Sequence, residues 1–218
     1  MKNSLLVFLL LWLFASPASA QFADSLRVPA FRVQPLIVPA TLAVGSLVVQ
    51  GKISRQLQQQ VARQYPGYRT SADAYLQYGP LAVSLGLGAA GVKGRYPFRE
   101  QVLLAVLSNV AALGVTYAIK QIARYPRPDG SGYDAFPSGH ATRAFTAATL
   151  LHKEYGPRSA WYSVGGYGVA TATGTLRVLE NQHWLSDVLA GAAVGIGATE
   201  VVYMGYPWVK EKLKKKKR

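Results

Sequence analysis

Residues 184–208 read WLSDVLAGAAVGIGATEVVYMGYPW, and this stretch decides the kind of fold the chain adopts. It is long, carries only Asp187 and Glu200 as charges, and is closed at both ends by tryptophan. Gly, Ala and Thr recur through its interior. Small side chains let helices approach closely inside a membrane, and tryptophans at the ends suit the boundary between lipid and water.

Moving outward from it, four further apolar blocks precede, at about 74–92, 101–119, 139–152 and 160–176, joined by short basic links. Each is expected to be helical, so the fold class is all-α, a polytopic membrane helical bundle. Trp161 sits at a block end, as an interfacial aromatic would. The block at 139–152 is short and contains Arg143, which keeps a soluble exported helical protein open as an alternative.

The first twenty residues, MKNSLLVFLLLWLFASPASA, have a basic start at Lys2, an apolar run from Leu5 to Phe14 and a small-residue exit at Ala18-Ser19-Ala20. That is the plan of a signal peptide over 1–20 with Gln21 as mature terminus; an uncleaved anchor is the alternative. Residues 21–73 are expected to form an N-terminal interfacial segment. Within it Val33 to Val49, broken by Pro35 and Pro39, should lie on the outer interface or dip into it, and GKISRQLQQQVARQYPGYRTSAD, 51–73, should be amphipathic or at the surface. The helical core then covers 74–208, and 209–218 forms a basic cytoplasmic tail.

The 218 residues suit one domain. With 24 Lys and Arg against 10 Asp and Glu, the net charge of +14 fits nucleic acid, anionic lipid or a phosphorylated ligand. A secreted chain with long apolar blocks does not meet nucleic acid, so the expected partners are a bilayer and a lipid phosphate. Oligomeric state is not legible. Cysteine is absent, which removes disulfides, thiolate catalysis and cysteine metal sites.

Charge also sets the sides. VKGRYPFRE at 92–100, HKEYGPRS at 152–159 and the tail would share the cytoplasmic side under the positive-inside rule. KQIARYPRPDGSGYDAFPSGH at 120–140 and RVLENQHW at 177–184 would then share the other, periplasmic side of a bacterial inner membrane.

Those two outward links carry the chemistry. Pro126 and Pro128 disfavour helix, so the chain should leave its helix near Lys120 and present Lys120 and Arg127 in a loop; cations at a helix end are also ordinary caps. In Pro137-Ser138-Gly139-His140, Ser138 is suited to cap a helix and Gly139 to admit a ligand to the backbone, where free N–H groups attract phosphate. Four residues separate His183 from Asp187, so on a helix the carboxylate can orient the imidazole and leave its other nitrogen free as a nucleophile. Of three histidines, two open the same-side loops; His152, beside Lys153, is expected at the surface.

In these three stretches the sequence resembles the type 2 phosphatidic acid phosphatase superfamily. Lys120, six residues and Arg127-Pro128 match its first motif, Pro137 to His140 its second, and Arg177, five residues, His183, three residues and Asp187 its third. Leu176 stands where the family has Ser, so one hydroxyl contact to phosphate is lost or supplied elsewhere. The resemblance implies that His183 attacks phosphorus and Asp187 orients it, that His140 protonates the leaving oxygen and then activates water, and that Lys120, Arg127, Ser138, Gly139 and Arg177 hold the phosphate oxygens. It implies neither metal nor cofactor. The expected activity is a metal-independent lipid phosphatase acting on lipid A, undecaprenyl diphosphate or phosphatidylglycerol phosphate. A soluble periplasmic acid phosphatase, a vanadate-dependent haloperoxidase and a non-catalytic lipid-binding protein are the alternatives.

Overall fold

A computed structural model describes residues 33–216; the expected signal peptide and the first residues of the N-terminal segment lie outside the described residues. Among the described residues are one 3-10 turn, Gln34–Leu36, eight α-helices and no strand. The helices are α1 Ile37–Val49, α2 Lys52–Gln64, α3 Ala72–Leu76, α4 Gly79–Ala89, α5 Phe98–Ala123, α6 Gly139–Tyr155, α7 Ala160–Leu179 and α8 Leu185–Lys216. All five expected apolar blocks are helical. The first, however, is not continuous: Pro80 lies in the first turn of α4, and the block divides into α3 and α4.

The centre of the bundle is α6. Every residue from Ala144 to Leu151 is buried, because α4, α5, α7 and α8 all pack against it. A helix sheathed in protein need not be apolar all round, which explains why α6 carries Thr142, Thr146 and Thr149 in its buried face. Thr142 meets Thr116 of α5 hydroxyl to hydroxyl at 3.0 Å, while Phe145 packs with Ala192 and Ile196 of α8 and Ala170 of α7.

Two glycines of α8 bring its backbone against that of α6. A Cβ on Gly191 would lie 2.6 Å from the Ser138 carbonyl oxygen, and one on Gly195 2.5 Å from that of Thr142. The spacing is the GxxxG pattern by which membrane helices pack at backbone distance.

The basic links meet at one end of the bundle. The Arg95 amide donates to the Glu154 carbonyl at 3.1 Å, Arg158 Nη1 to the Lys93 carbonyl at 2.5 Å, and Lys210 Nζ pairs with Glu100 at 2.6 Å. The links that carry the three motifs meet at the other end. That pairing of links is the one the charge pattern demands.

By length and composition α5 and α8 each suffice to cross a membrane, and α1 with α2 qualify only as a pair bent by 78°. α1 runs antiparallel along α8: Ser46 Oγ donates to the Ser186 carbonyl at 2.9 Å, and Pro39 abuts Gly197. Its other side is an apolar exposed face with Val44, Leu47 and Val48. Within 51–73, α2 is amphipathic and laid across the junction of α7 and α8 through Gln58, which donates to the Val178 carbonyl at 3.0 Å, and the stretch ends in buried Asp73. His152 departs from its expected surface place. It lies in the last turn of α6, half-buried, with Nδ1 2.7 Å from Ser163 Oγ of α7.

Replacing Gly195 by Ala forces a methyl group against a carbonyl oxygen, and such overpacking costs about 1–3 kcal/mol. The thermal midpoint in detergent is expected to fall for Gly195→Ala. It should hold or rise for Gly205→Ala, where a Cβ meets nothing within 4 Å.

Candidate active site

Four helix ends converge at the loop end of the bundle: the C-termini of α5 and α7 and the N-termini of α6 and α8. α5 stops ahead of Pro126, with Arg124 in the left-handed region at φ 41, so Lys120 sits in its last turn and Arg127 in the loop beyond. Ser138 caps α6 by accepting from the Ala141 amide at 3.4 Å, as its sequence position suggested. The Ser138 amide in turn donates to the Asp187 carbonyl at 2.9 Å, which locks the start of α6 to the first turn of α8.

His183 is 2% exposed on its side chain, and His140 28%. One imidazole is therefore enclosed and the other faces the open side. His183 Nδ1 lies 3.5 Å from Asp187 Oδ2, an ion-pair separation too long for a firm hydrogen bond; that oxygen already accepts from the Trp184 amide at 2.8 Å. Burial lowers the pKa of His183, and the charge of Asp187 opposes the shift. The ring is thus held neutral below its ordinary titration range.

The cations are fixed by carboxylates. Arg127 Nε donates to Asp134 Oδ1 at 2.7 Å and Nη2 to Oδ2 at 3.0 Å, a two-point pairing of guanidinium and carboxylate. Lys120 donates to the backbone carbonyl of the same Asp134 and lies 3.9 Å from its Oδ2. The Arg127 guanidinium holds Asp134 well below the usual carboxylate range and is itself raised in return. Arg177 Nη1 lies 2.7 Å from Asp73 Oδ2 and 2.8 Å from Glu180 Oε2.

The three predicted stretches therefore come together. Asp73, which the sequence reading did not single out, joins two of them: its Oδ2 is 3.6 Å from His140 Nε2 as well as bonded to Arg177. Gln182 was also passed over. Its Oε1 accepts from Arg127 Nη1 at 2.7 Å and from Arg177 Nη2 at 3.4 Å, so one amide bridges the first and third motifs. The signal available for Gln182 was its place directly before His183. For Asp73 no local signal exists, because its partners are 67 and 104 positions away and α3 is a single short turn of helix.

The outer rim is tied by Trp184, whose Nε1 donates to the Pro126 carbonyl at 2.8 Å, and by Gln182 Nε2, which donates to Asp129 Oδ2 at 2.6 Å. Beside Lys120 and Asp134 opens a cavity of about 410 Å³, lined also by Tyr117, Gln121, Arg124 and Tyr133. Among the described residues no group of three or more His, Cys, Asp or Glu is placed to hold a metal ion. What the arrangement offers is a neutral enclosed imidazole, a second imidazole facing outward, and three cations with backbone amides at a helix start.

The family model of the PAP2 superfamily matches residues 101–211, a little over half of the chain and all three motifs. Over 137 residues the chain is 44% identical to a protein named Lipid A 1-phosphatase from Porphyromonas gingivalis, covering 62% of this chain and 31% of that relative. The chain thus spans about a third of that relative's length. Among solved structures, a transmembrane PAP2-type phosphatidylglycerolphosphate phosphatase from Bacillus subtilis superposes with TM-score 0.59 at 18% identity, over 79% of this chain and 95% of its own. Aquifex aeolicus LpxE superposes with TM-score 0.46 at 21% identity, over 66% and 93%. The first superposition bears on the fold alone. With the family model matched across the helices that carry the site, the chain belongs to the PAP2 superfamily.

Proposed function

We propose that the protein is a metal-independent lipid phosphatase that removes a phosphate from an envelope lipid at the outward face of a bacterial inner membrane. One observation carries the reading: two imidazoles and three cations, drawn from helix ends and the links between them, are joined at one end of the bundle through Asp73, Asp134, Gln182 and Asp187. The similarity to a protein named Lipid A 1-phosphatase supports lipid A as a substrate. Undecaprenyl diphosphate and phosphatidylglycerol phosphate are the other candidates.

In this reading His183 is the nucleophile. Its depressed pKa keeps the ring unprotonated, and Asp187 beside Nδ1 stabilises positive charge as Nε2 bonds to phosphorus. His140 donates a proton to the departing oxygen, then takes one from the water that cleaves the phosphorus–nitrogen bond. Lys120, Arg127, Arg177, Ser138 and the Gly139 amide hold the equatorial oxygens, where charge spreads in the transition state. Fixed cations supply at this site the charge that a metal ion supplies elsewhere. Asp73 acts on Arg177 and His140 together and is a positioning residue.

Purified protein in detergent is expected to release phosphate from at least one of the three lipids with EDTA present, and His183→Ala to abolish release. A requirement for divalent metal, or turnover persisting in His183→Ala, would overturn the proposal.

Asp73→Asn removes the charge that aligns Arg177 and His140, and misplacement of that kind costs about a hundredfold in rate. The expected result is a fall in kcat, read from steady-state phosphate release, with the protein still folded.

Asp187→Asn takes away the charge that favours the imidazolium form of His183. The ring should therefore titrate at still lower pH than in the parent protein, measured by NMR of labelled histidine nitrogens.

A further inference from the structure

Arg143 is a cation beside the site that none of the three motifs accounts for. It stands one turn into α6, three residues after His140 and four after Gly139, so all three share a helix face. Its Nη1 lies 3.7 Å from where a Cβ on Gly139 would be, which places the guanidinium over the open side of that glycine.

What separates Arg143 from the other cations is its lack of a partner. Lys120 and Arg127 share Asp134, and Arg177 has Asp73 and Glu180. Among the described residues Arg143 is half-buried with no hydrogen bond and no ion pair. A half-buried charge without a partner is unfavourable, and α6 around it is built of small and apolar residues that call for no cation. An anion absent from the chain itself would satisfy it.

The geometry points to Arg143 as a specificity residue that pairs with negative charge on the leaving group, so that the site favours lipids in which the departing group is itself a phosphate. The inference rests on the phosphatase reading above. There His140 serves the departing oxygen, and a cation on the same face of the same helix meets whatever that oxygen is bonded to. In a lipid diphosphate, attack by His183 Nε2 on the terminal phosphorus breaks its bond to the bridging oxygen. That oxygen takes the proton of His140 and leaves as the lipid monophosphate, whose negative charge Arg143 faces. Water, deprotonated by His140, then cleaves the phosphohistidine and releases inorganic phosphate. Whether the carrier is a prenyl chain or an acylated sugar is independent of this charge.

The test uses full-length protein in detergent and one lipid in two forms, undecaprenyl diphosphate and undecaprenyl monophosphate, with kcat/KM measured on each. The parent protein is expected to prefer the diphosphate about ten- to hundredfold, the usual worth of a charge-assisted hydrogen bond. Arg143→Gln should remove that preference by slowing the diphosphate reaction more than the monophosphate one. Arg143→Lys, which keeps the charge without the two-point fork, should retain part of it. Equal rates on the two lipids in the parent, or a preference that persists in Arg143→Gln, overturns the inference while leaving the phosphatase reading intact. An equal loss on both lipids in Arg143→Gln does the same. Absence of hydrolysis of any lipid phosphate by the parent removes both.

Discussion

The backbone contact between α6 and α8 is the constraint on which the rest of the molecule depends. Gly191 and Gly195 allow the two helices to touch main chain to main chain, and the same approach lets the Ser138 amide bond to the Asp187 carbonyl. His140 lies in the first turn of α6 and Asp187 in the first turn of α8, so helix packing fixes those two groups, and the short link 180–184 carries His183 between α7 and α8. A site whose members sit at helix ends inherits the rigidity of the helices. The ends of α5 and α7 add Lys120 and Arg177 to that frame, and the loop after α5 adds Arg127.

Those cations are neutralised within the chain. Each of the three motif cations faces a carboxylate, and the carboxylates differ in kind: Asp73 and Glu180 are buried, while the side chain of Asp134 is 56% exposed. The buried pair fixes Arg177 permanently, because separating them would leave charges without partners. Asp134 is tied to the end of α5 only through Lys120, and its pairing with Arg127 is open to water.

Much of this architecture was legible in the sequence. Pro126 and Pro128 mark the end of α5, Ser138 marks the start of α6, and the three motifs name the residues that meet. The charge of the links correctly sorted them into two ends, because basic clusters and chemistry-bearing loops alternate along an up-and-down bundle. The residues that knit the motifs together were not legible. Asp73 acts across a distance of 104 positions on Arg177, and Gln182 bridges two guanidiniums by orientation alone. The lengthwise docking of α1 on α8 was not legible either, since nothing local pairs Pro39 with Gly197, against which it packs. Short helices such as α4 carry no periodic signal long enough to place their ends.

The exposed carboxylate on Lys120 and Arg127 has a consequence for a protein surrounded by lipid headgroups. On the proposed reading, an anion reaching these cations would have to displace an acidic group tethered beside them, present at the high effective concentration that tethering confers. A phosphodiester, with one negative charge, is poorly matched to that exchange. A terminal phosphate carries nearly two, with more oxygens to offer. In the proposed phosphatase, the loop aspartate would then act as a sieve, disfavouring singly charged phosphodiesters at the cations it covers.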